Sequence, residues 1–379
     1  MPSATASTSS NLTFRIADFD TLADGLDYAA KGEAGCNFFS PRGELEAALT
    51  YREIRDRAVA LAQRFTRAGI ERGTRVALVA ETGPNFLIFF YACQYAGLIP
   101  VPLPLTIHLG GHDAYVDRLR NMLAKAGAQV AVGPAEMLHY LKEAAGGLRM
   151  VGTPDDFYAL PAEGGDLRPF ASHEACYIQY SSGSTSLPRG IFVSQRSITA
   201  NARGIGRHGL ELRAGARATS WLPLYHDMGL VGFCLTPMLS QITIDYLATK
   251  SFALRPLTWL KLISQYGGTI SFSPTFGYEL CATRGLNGSA KTIDHEVEVR
   301  SETNARLSDH HVGRIVVRGP SVMEGYYNDP AATSAVTTPD GWLDTGDLGY
   351  MIDGRLVVTG RRKDLVILNG LNIWPQDVE

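Results

Sequence analysis

The stretch "RVALVAETGPNFLIFFYACQYAGLIPVPLPL", Arg75 to Leu105, decides the fold. Val76 to Ala80 is a continuous apolar run, the pattern of a strand covered on both faces. Pro84 suits the first turn of a helix, where the N–H that proline lacks would have no intrahelical partner. A second strand is expected at Ile99 to Leu103. The apolar part is long enough to suggest a membrane span, but Gly97, Pro100, Pro102 and Pro104 interrupt it. A buried helix running into a strand is the better reading.

Upstream, Thr50 to Glu53 has the form of a capping box, and Ile54, Ala58, Leu61, Ala62 and Phe65 share the helical face that follows. Downstream, an amphipathic helix is expected over Asp113 to Lys125 and a strand at "AQVAVG" from Ala128. Such βαβ repetition implies a largely parallel sheet with helices on its faces. A polar, glycine-rich stretch lies around residues 152–172, after which the pattern resumes. "ACYIQY" (175–180) reads as a strand, a helix starts near Gln195, and alternation runs on to "GGTISFSP" (267–274). From Asp294 the texture changes. "HEVEVR", "VGRIVVRG", "GRLVVTG" and "DLVILNG" are short strands between turns, with no helix expected between them, hence a smaller β-rich subdomain. Asp353-Gly354 reads as a hairpin turn.

A chain of 379 residues can hold more than one domain, and 45% hydrophobic with 19% charged residues is the composition of a soluble globular protein. The net charge of −3 gives no basic footprint for nucleic acid. No lysine–arginine cluster adjoins an amphipathic stretch, so a membrane surface is not an expected partner. The five cysteines include no C-x-x-C pair, which argues against a zinc or redox motif. Their odd number suits a reducing cytoplasm. The N-terminal "MPSATASTSSN" lacks the basic-then-apolar order of a signal peptide and reads as a frayed tail.

Chemistry enters with "YIQYSSGSTSLPRGIFVS", Tyr177 to Ser194. Hydroxyls and glycines lie between two apolar segments, a donor-rich loop suited to phosphate. The spacing does not match the P-loop, G-x-x-x-x-G-K-[ST]. Taken alone, its serines could equally solvate a surface turn.

Four stretches in order resemble the adenylate-forming superfamily, and their wording is most similar to the fatty acyl-AMP ligases. They are "YSSGSTSLPRG" (180–190), "SWLPLYHDMGLVGFCLTPML" (220–239), "GWLDTGDLGY" (341–350) and "GRRKDLVILNGLNIWPQDVE" (360–379). The resemblance implies two stacked, largely parallel αβ sheets plus the smaller β-rich subdomain. It divides the chain into 1–170, 171–290 with the phosphate loop, 291–360 rich in β structure, and 361–379 as a hinge and stub. The implied reaction activates a fatty acid with ATP and Mg2+ to acyl-adenylate and pyrophosphate. The acyl group would then pass to an acyl carrier protein or a polyketide or peptide synthase.

The resemblance makes the loop a cradle for the outer phosphates of ATP, with Ser181, Ser182, Ser184 and Thr185 as donors and Gly183 and Gly190 allowing close backbone approach. Arg189 stands where the family usually has lysine, and Ser186 replaces a common glycine. Thr185, Arg189 and His226 form the expected catalytic set. Asp347 matches the aspartate that accepts from both ribose hydroxyls, as two carboxylate oxygens can. Arg361 matches the arginine that contacts ribose or phosphate, and Lys363 the hinge. His226 corresponds to a wall of the carboxylate pocket, although a hydrogen-bonded core pair with Asp227 is a nearly equal reading. Trp221, Leu224, Met228, Phe233, Phe276 and Tyr278 correspond to the acyl tunnel, yet taken singly each reads as ordinary core.

The chain departs from this pattern in two places. Six residues separate Arg284 from Lys291, where the family has its adenine loop, its acidic magnesium turn and the insertion distinctive of the ligases. No "YG-x-[TA]-E" turn occurs anywhere. The sequence stops at Glu379, just past the hinge, without the domain that carries the catalytic lysine. We therefore expect weak adenylation or none. The competing readings are an acyl-CoA synthetase and a non-catalytic acyl-adenylate-binding protein.

Overall fold

A computed structural model describes residues 12–105, 111–161, 165–181, 189–286, 296–319, 322–323, 325, 329–352, 354–361, 366–368 and 371–373. The chain forms two compact units, Met1–Tyr278 and Glu279–Glu379. Among the described residues no helix is long and apolar enough to cross a membrane.

The decisive stretch folds as read. Arg75–Val79 is a strand with parallel partners on both sides, Ile99–Leu103 and Ala128–Val132, and Met150–Gly152 extends the sheet beyond the latter. The intervening helix Pro84–Ala96 has proline in its first turn and is buried on every side from Phe86 to Ala96. It ends at Gly97, whose left-handed φ of 68° turns the chain toward the next strand. A side chain there would also meet the Arg168 carbonyl at 2.3 Å, so two constraints call for glycine.

The helix Tyr51–Arg67 packs beside it. Its capping box is present, and the five apolar residues expected on one face are buried. Phe65 meets the rings of Phe89 and Phe157 edge-on, each at 5.9 Å. Edge-to-face contacts of this kind add about 0.5–1.5 kcal/mol each beyond burial alone.

A second sheet draws on distant parts of the sequence. Gly35–Phe39 pairs in parallel with Thr243–Leu247, which pairs in parallel with Arg217–Ser220, while Leu45–Thr50 closes the other edge antiparallel. A buried ion pair braces it. Arg217 donates from Nε and a terminal nitrogen to the two Asp245 oxygens at 2.6 and 2.7 Å, and Asn37 donates to Asp245 at 2.8 Å.

Three local expectations need correction. Ala175–Ser181 does not join a parallel ladder as a βαβ strand would; it forms an antiparallel hairpin with Arg189–Ser194. The stretch at 267–274 contributes only a bridge, Ile270 with Ala218, because the backbone leaves the sheet after one contact. The third lies in the second unit, where a helix does form, Pro330–Val336. Asp329 accepts from the Ala332 N–H and Pro330 occupies the first turn. This start signal was legible but is only seven residues from its end.

Otherwise the second unit is the β-rich region expected, with strands Glu296–Arg300, Gly313–Arg318, Leu343–Ile352 and Arg355–Arg361 in one antiparallel sheet. Ile352 pairs with Arg355 and Gly354 has a φ of 73°, while Asp353 lies outside the described residues. The guanidinium groups of Arg300 and Arg318 lie over Trp342, 4.5 and 4.7 Å from its rings.

Candidate functional site

In the first unit the site is built on the hairpin Ala175–Ser181/Arg189–Ser194. Ser181 pairs directly with Arg189, so the arginine begins the strand that leaves the phosphate-loop candidate. Ser182, Gly183, Ser184, Thr185 and Ser186 lie outside the described residues. Arg189 and Gly190 are exposed. Gly190 faces Tyr180, and a side chain on it would press Ile178 at 3.2 Å.

Side-chain hydrogen bonds tie the hairpin to its surroundings. Tyr180 donates from its hydroxyl to the Met122 carbonyl, and Gln179 donates from Nε2 to the Tyr225 carbonyl at 3.3 Å. The second joins the strand entering the loop to the turn carrying His226. Glu174, just ahead of the hairpin, is gripped by Arg72 at 2.6 and 2.7 Å, which holds its carboxyl down to about 2.

The turn itself has unusual backbone. Met228–Leu235 is wound as a π-helix, a geometry found mostly in short pieces and frequently at functional sites. Two of its glycines pack closely against neighbours. A side chain at Gly229 would lie 2.2 Å from the Pro223 carbonyl oxygen, and one at Gly232 would lie 2.7 Å from the Phe272 ring. Alanine at Gly229 should therefore cost about 1–3 kcal/mol by overpacking against backbone. Alanine at Gly204, a helical glycine with nothing within 4 Å, should instead stabilise by about 0.4–1 kcal/mol. Denaturant midpoints at constant slope would check both, and equal effects would contradict the steric account.

His226 is exposed, with Nδ1 2.6 Å from the Asp227 carboxylate, so the histidine–aspartate pair exists at the surface and not in the core. The apolar residues separate into two groups. Trp221, Leu224 and Phe233 are buried and Met228 is half-buried. Phe276 and Tyr278 are 56% and 48% exposed, so the single-residue reading of these two as core does not hold.

One aromatic pile connects them. Trp221 stacks on Phe252 at 3.8 Å, Phe276 meets Trp221 edge-on at 5.6 Å, and Tyr278 lies 5.4 Å from Trp259. Gly277 lets the helix Thr275–Leu286 approach, since a side chain there would be 2.6 Å from the Trp221 ring. The sequence reading missed Gln179, Phe252, Trp259 and both close-packed glycines. The spacing "MGLVG" was the available signal.

In the second unit Asp347 lies on the strand Leu343–Ile352 and pairs in register with Arg361. Two residues chosen from separate motifs thus face each other across one ladder. Lys363 lies outside the described residues. All five cysteines are buried and none forms a disulfide, and burial pushes their thiols up, Cys234 to about 12. None is placed to act as a thiolate. No group of three or more metal-ligating side chains occurs among the described residues.

Residues 36–295 match the family model of the AMP-binding enzymes. A putative acyl-CoA synthetase of Caulobacter vibrioides is 40% identical, with 98% of this chain and 82% of the relative covered. That alignment runs over 471 positions, more than the 379 residues of this chain, so the relative has residues within the span that have no counterpart here. The medium-chain-fatty-acid–[acyl-carrier-protein] ligase JamA of Moorena producens is 25% identical over 96% of this chain and 80% of its own. Among solved structures, one from a study of fatty acyl-adenylate ligases of E. coli and L. pneumophila superposes with a TM-score of 0.70. It is 36% identical and covers 97% of this chain and 83% of its own.

Proposed function

Since the chain belongs to the AMP-binding enzyme family, with relatives among fatty acyl-AMP ligases and acyl-CoA synthetases, we propose that it binds ATP and a fatty acid and joins them as an acyl-adenylate. The fatty acid carboxylate attacks the α-phosphorus, the bond to the bridging oxygen breaks, and pyrophosphate leaves with that electron pair. The observation that carries the reading is the tie between hairpin and turn. Arg189 pairs with Ser181 at the base of the phosphate-loop candidate, and Gln179 holds that strand to the His226 turn.

In this reading Ser181, Ser182, Gly183, Ser184 and Thr185 cradle the outer phosphates, and Arg189 offsets their charge. His226 and Met228 border the carboxylate end, and the aromatic pile of Trp221, Phe276 and Tyr278 takes the acyl chain. Asp347 and Arg361 contact the ribose. Lys363 is the hinge. An acyl carrier protein is the proposed acceptor, by analogy with JamA, an acyl-carrier-protein ligase.

Fatty-acid-dependent exchange of pyrophosphate into ATP tests the reaction. Stimulation by long-chain acids is expected; stimulation by acetate or amino acids alone would overturn the substrate. The name of the Caulobacter relative favours a second reading, transfer to coenzyme A, which a thioester formed with free coenzyme A would establish. The residues absent from within the aligned span favour a third, adenylate binding without turnover.

Asp347→Ala should weaken ATP and AMP equally, by about 1–3 kcal/mol, because both carry the ribose whose hydroxyls it accepts. Nucleotide titrations would measure this, and unchanged affinity would remove Asp347 from the site.

A further inference from the structure

The helix after the hairpin carries a charge pattern that adenylate chemistry does not use. From Arg189 to Leu210 there are four arginines and no aspartate or glutamate, in a chain of net charge −3. Arg196 and Arg203 are seven apart on the helix Gln195–Gly204, two turns along one face, and Arg207 follows a turn later in the π-helical segment Ile205–Gly209. The opposite face, with Ile198, Thr199 and Ala202, is buried.

Arg203 turns inward to the Asp18 carboxylate at 3.3 Å and the Ala17 carbonyl. Arg196 and Arg207 are exposed and have no ion-pair partner among the described residues. Glu211 is the single carboxylate between Arg189 and Arg217. On the preceding strand Ile191 and Phe192 are 51% and 61% exposed, and that strand pairs only with Ala175–Ser181 among the described residues.

We propose that this face, Arg196 and Arg207 with Phe192, docks an acidic carrier protein. The inference rests on the acyl-transfer reading above. Charge complementarity carries it: arginines without a carboxylate partner steer an acidic partner and fix its register, while the exposed Phe192, on the strand that leads into the helix, supplies an apolar contact that excludes water. A lipid surface fits less well. The other exposed residues of the helix are Ser197, Ala200 and Asn201, so no large apolar side chain stands on it and only Ile191 and Phe192 of the preceding strand could insert. Nucleic acid fits less well still, because its affinity grows with the number of phosphates neutralised and few cations are free here.

The test is fluorescence anisotropy of a labelled, negatively charged holo acyl carrier protein against the full chain at low and high salt. Arg196→Glu/Arg207→Glu is compared with Arg57→Glu/Arg118→Glu, an equal charge change at exposed positions elsewhere. The stripe variant should bind on the order of tenfold more weakly, with a flatter salt dependence, while the control variant and the exchange reaction stay unchanged. Equal binding by the stripe variant and the wild type would overturn the proposal, as would equal losses in both variants. If the wild type ignores the carrier but binds vesicles of anionic phospholipid through these arginines, the occupant is lipid and the assignment fails. Stripe-dependent carrier binding without fatty-acid-dependent exchange would sink the enzymatic reading and leave the docking face standing. Exchange with stripe-independent carrier binding would do the reverse.

Discussion

Asp245→Ala is expected to lower the stability of the first unit by about 3–5 kcal/mol, because it strands a buried guanidinium without its partner. Asp245 is fully buried and Arg217 nearly so, and the pair is bidentate with Asn37 as a third member. The contrast with the double replacement Arg217→Met/Asp245→Leu is the informative part. Removing both charges together removes the desolvation cost along with the attraction, so the double variant should be far closer to wild type than the single one. Urea midpoints at unchanged slope would show this, and a double variant as unstable as the single one would mean the pair does more than neutralise itself. The effect reaches the candidate site through the chain: Arg217–Ser220 runs directly into Trp221 and the His226 turn.

Arg189→Ala should weaken ATP binding by on the order of 10- to 100-fold, the scale of a lost charge-assisted hydrogen bond to phosphate. AMP affinity should change much less, since the outer phosphates are absent from it. This discriminates Arg189 from Asp347, whose loss should affect both nucleotides alike. Arg189→Lys should recover most of the triphosphate affinity, because the charge at the strand start is what the position supplies; the planar fork is secondary there. Equal losses for ATP and AMP would contradict the assignment to the outer phosphates.

The sequence made some features legible and concealed others, for physical reasons. The helix at Pro84, the capping box at Thr50 and the strand at Arg75 are specified by local chemistry, and each appears where its residues place it. Pairing partners are not local. Nothing in "GCNFF" (35–39) announces that its parallel neighbour lies at Thr243–Leu247, more than two hundred residues away, or that Asn37 will meet Asp245.

The site divides in the same way. Asp347 and Arg361 were named from separate motifs, and only the ladder register shows that they are neighbours. Gln179 reads as one polar residue in a strand, and its role depends on where Tyr225 falls. Phe276 and Tyr278 read as core by composition, since burial depends on what packs above them, which no single position reveals.

The central claim is that this fold holds an acyl-adenylate. Calorimetric titration with a non-hydrolysable dodecanoyl-adenylate analogue tests it most directly, because it requires no turnover. Saturable one-site binding is expected, weakened when an acetyl analogue replaces the long chain and weakened again by Asp347→Ala. No heat with the long-chain analogue, or equal affinity for the acetyl one, would contradict it.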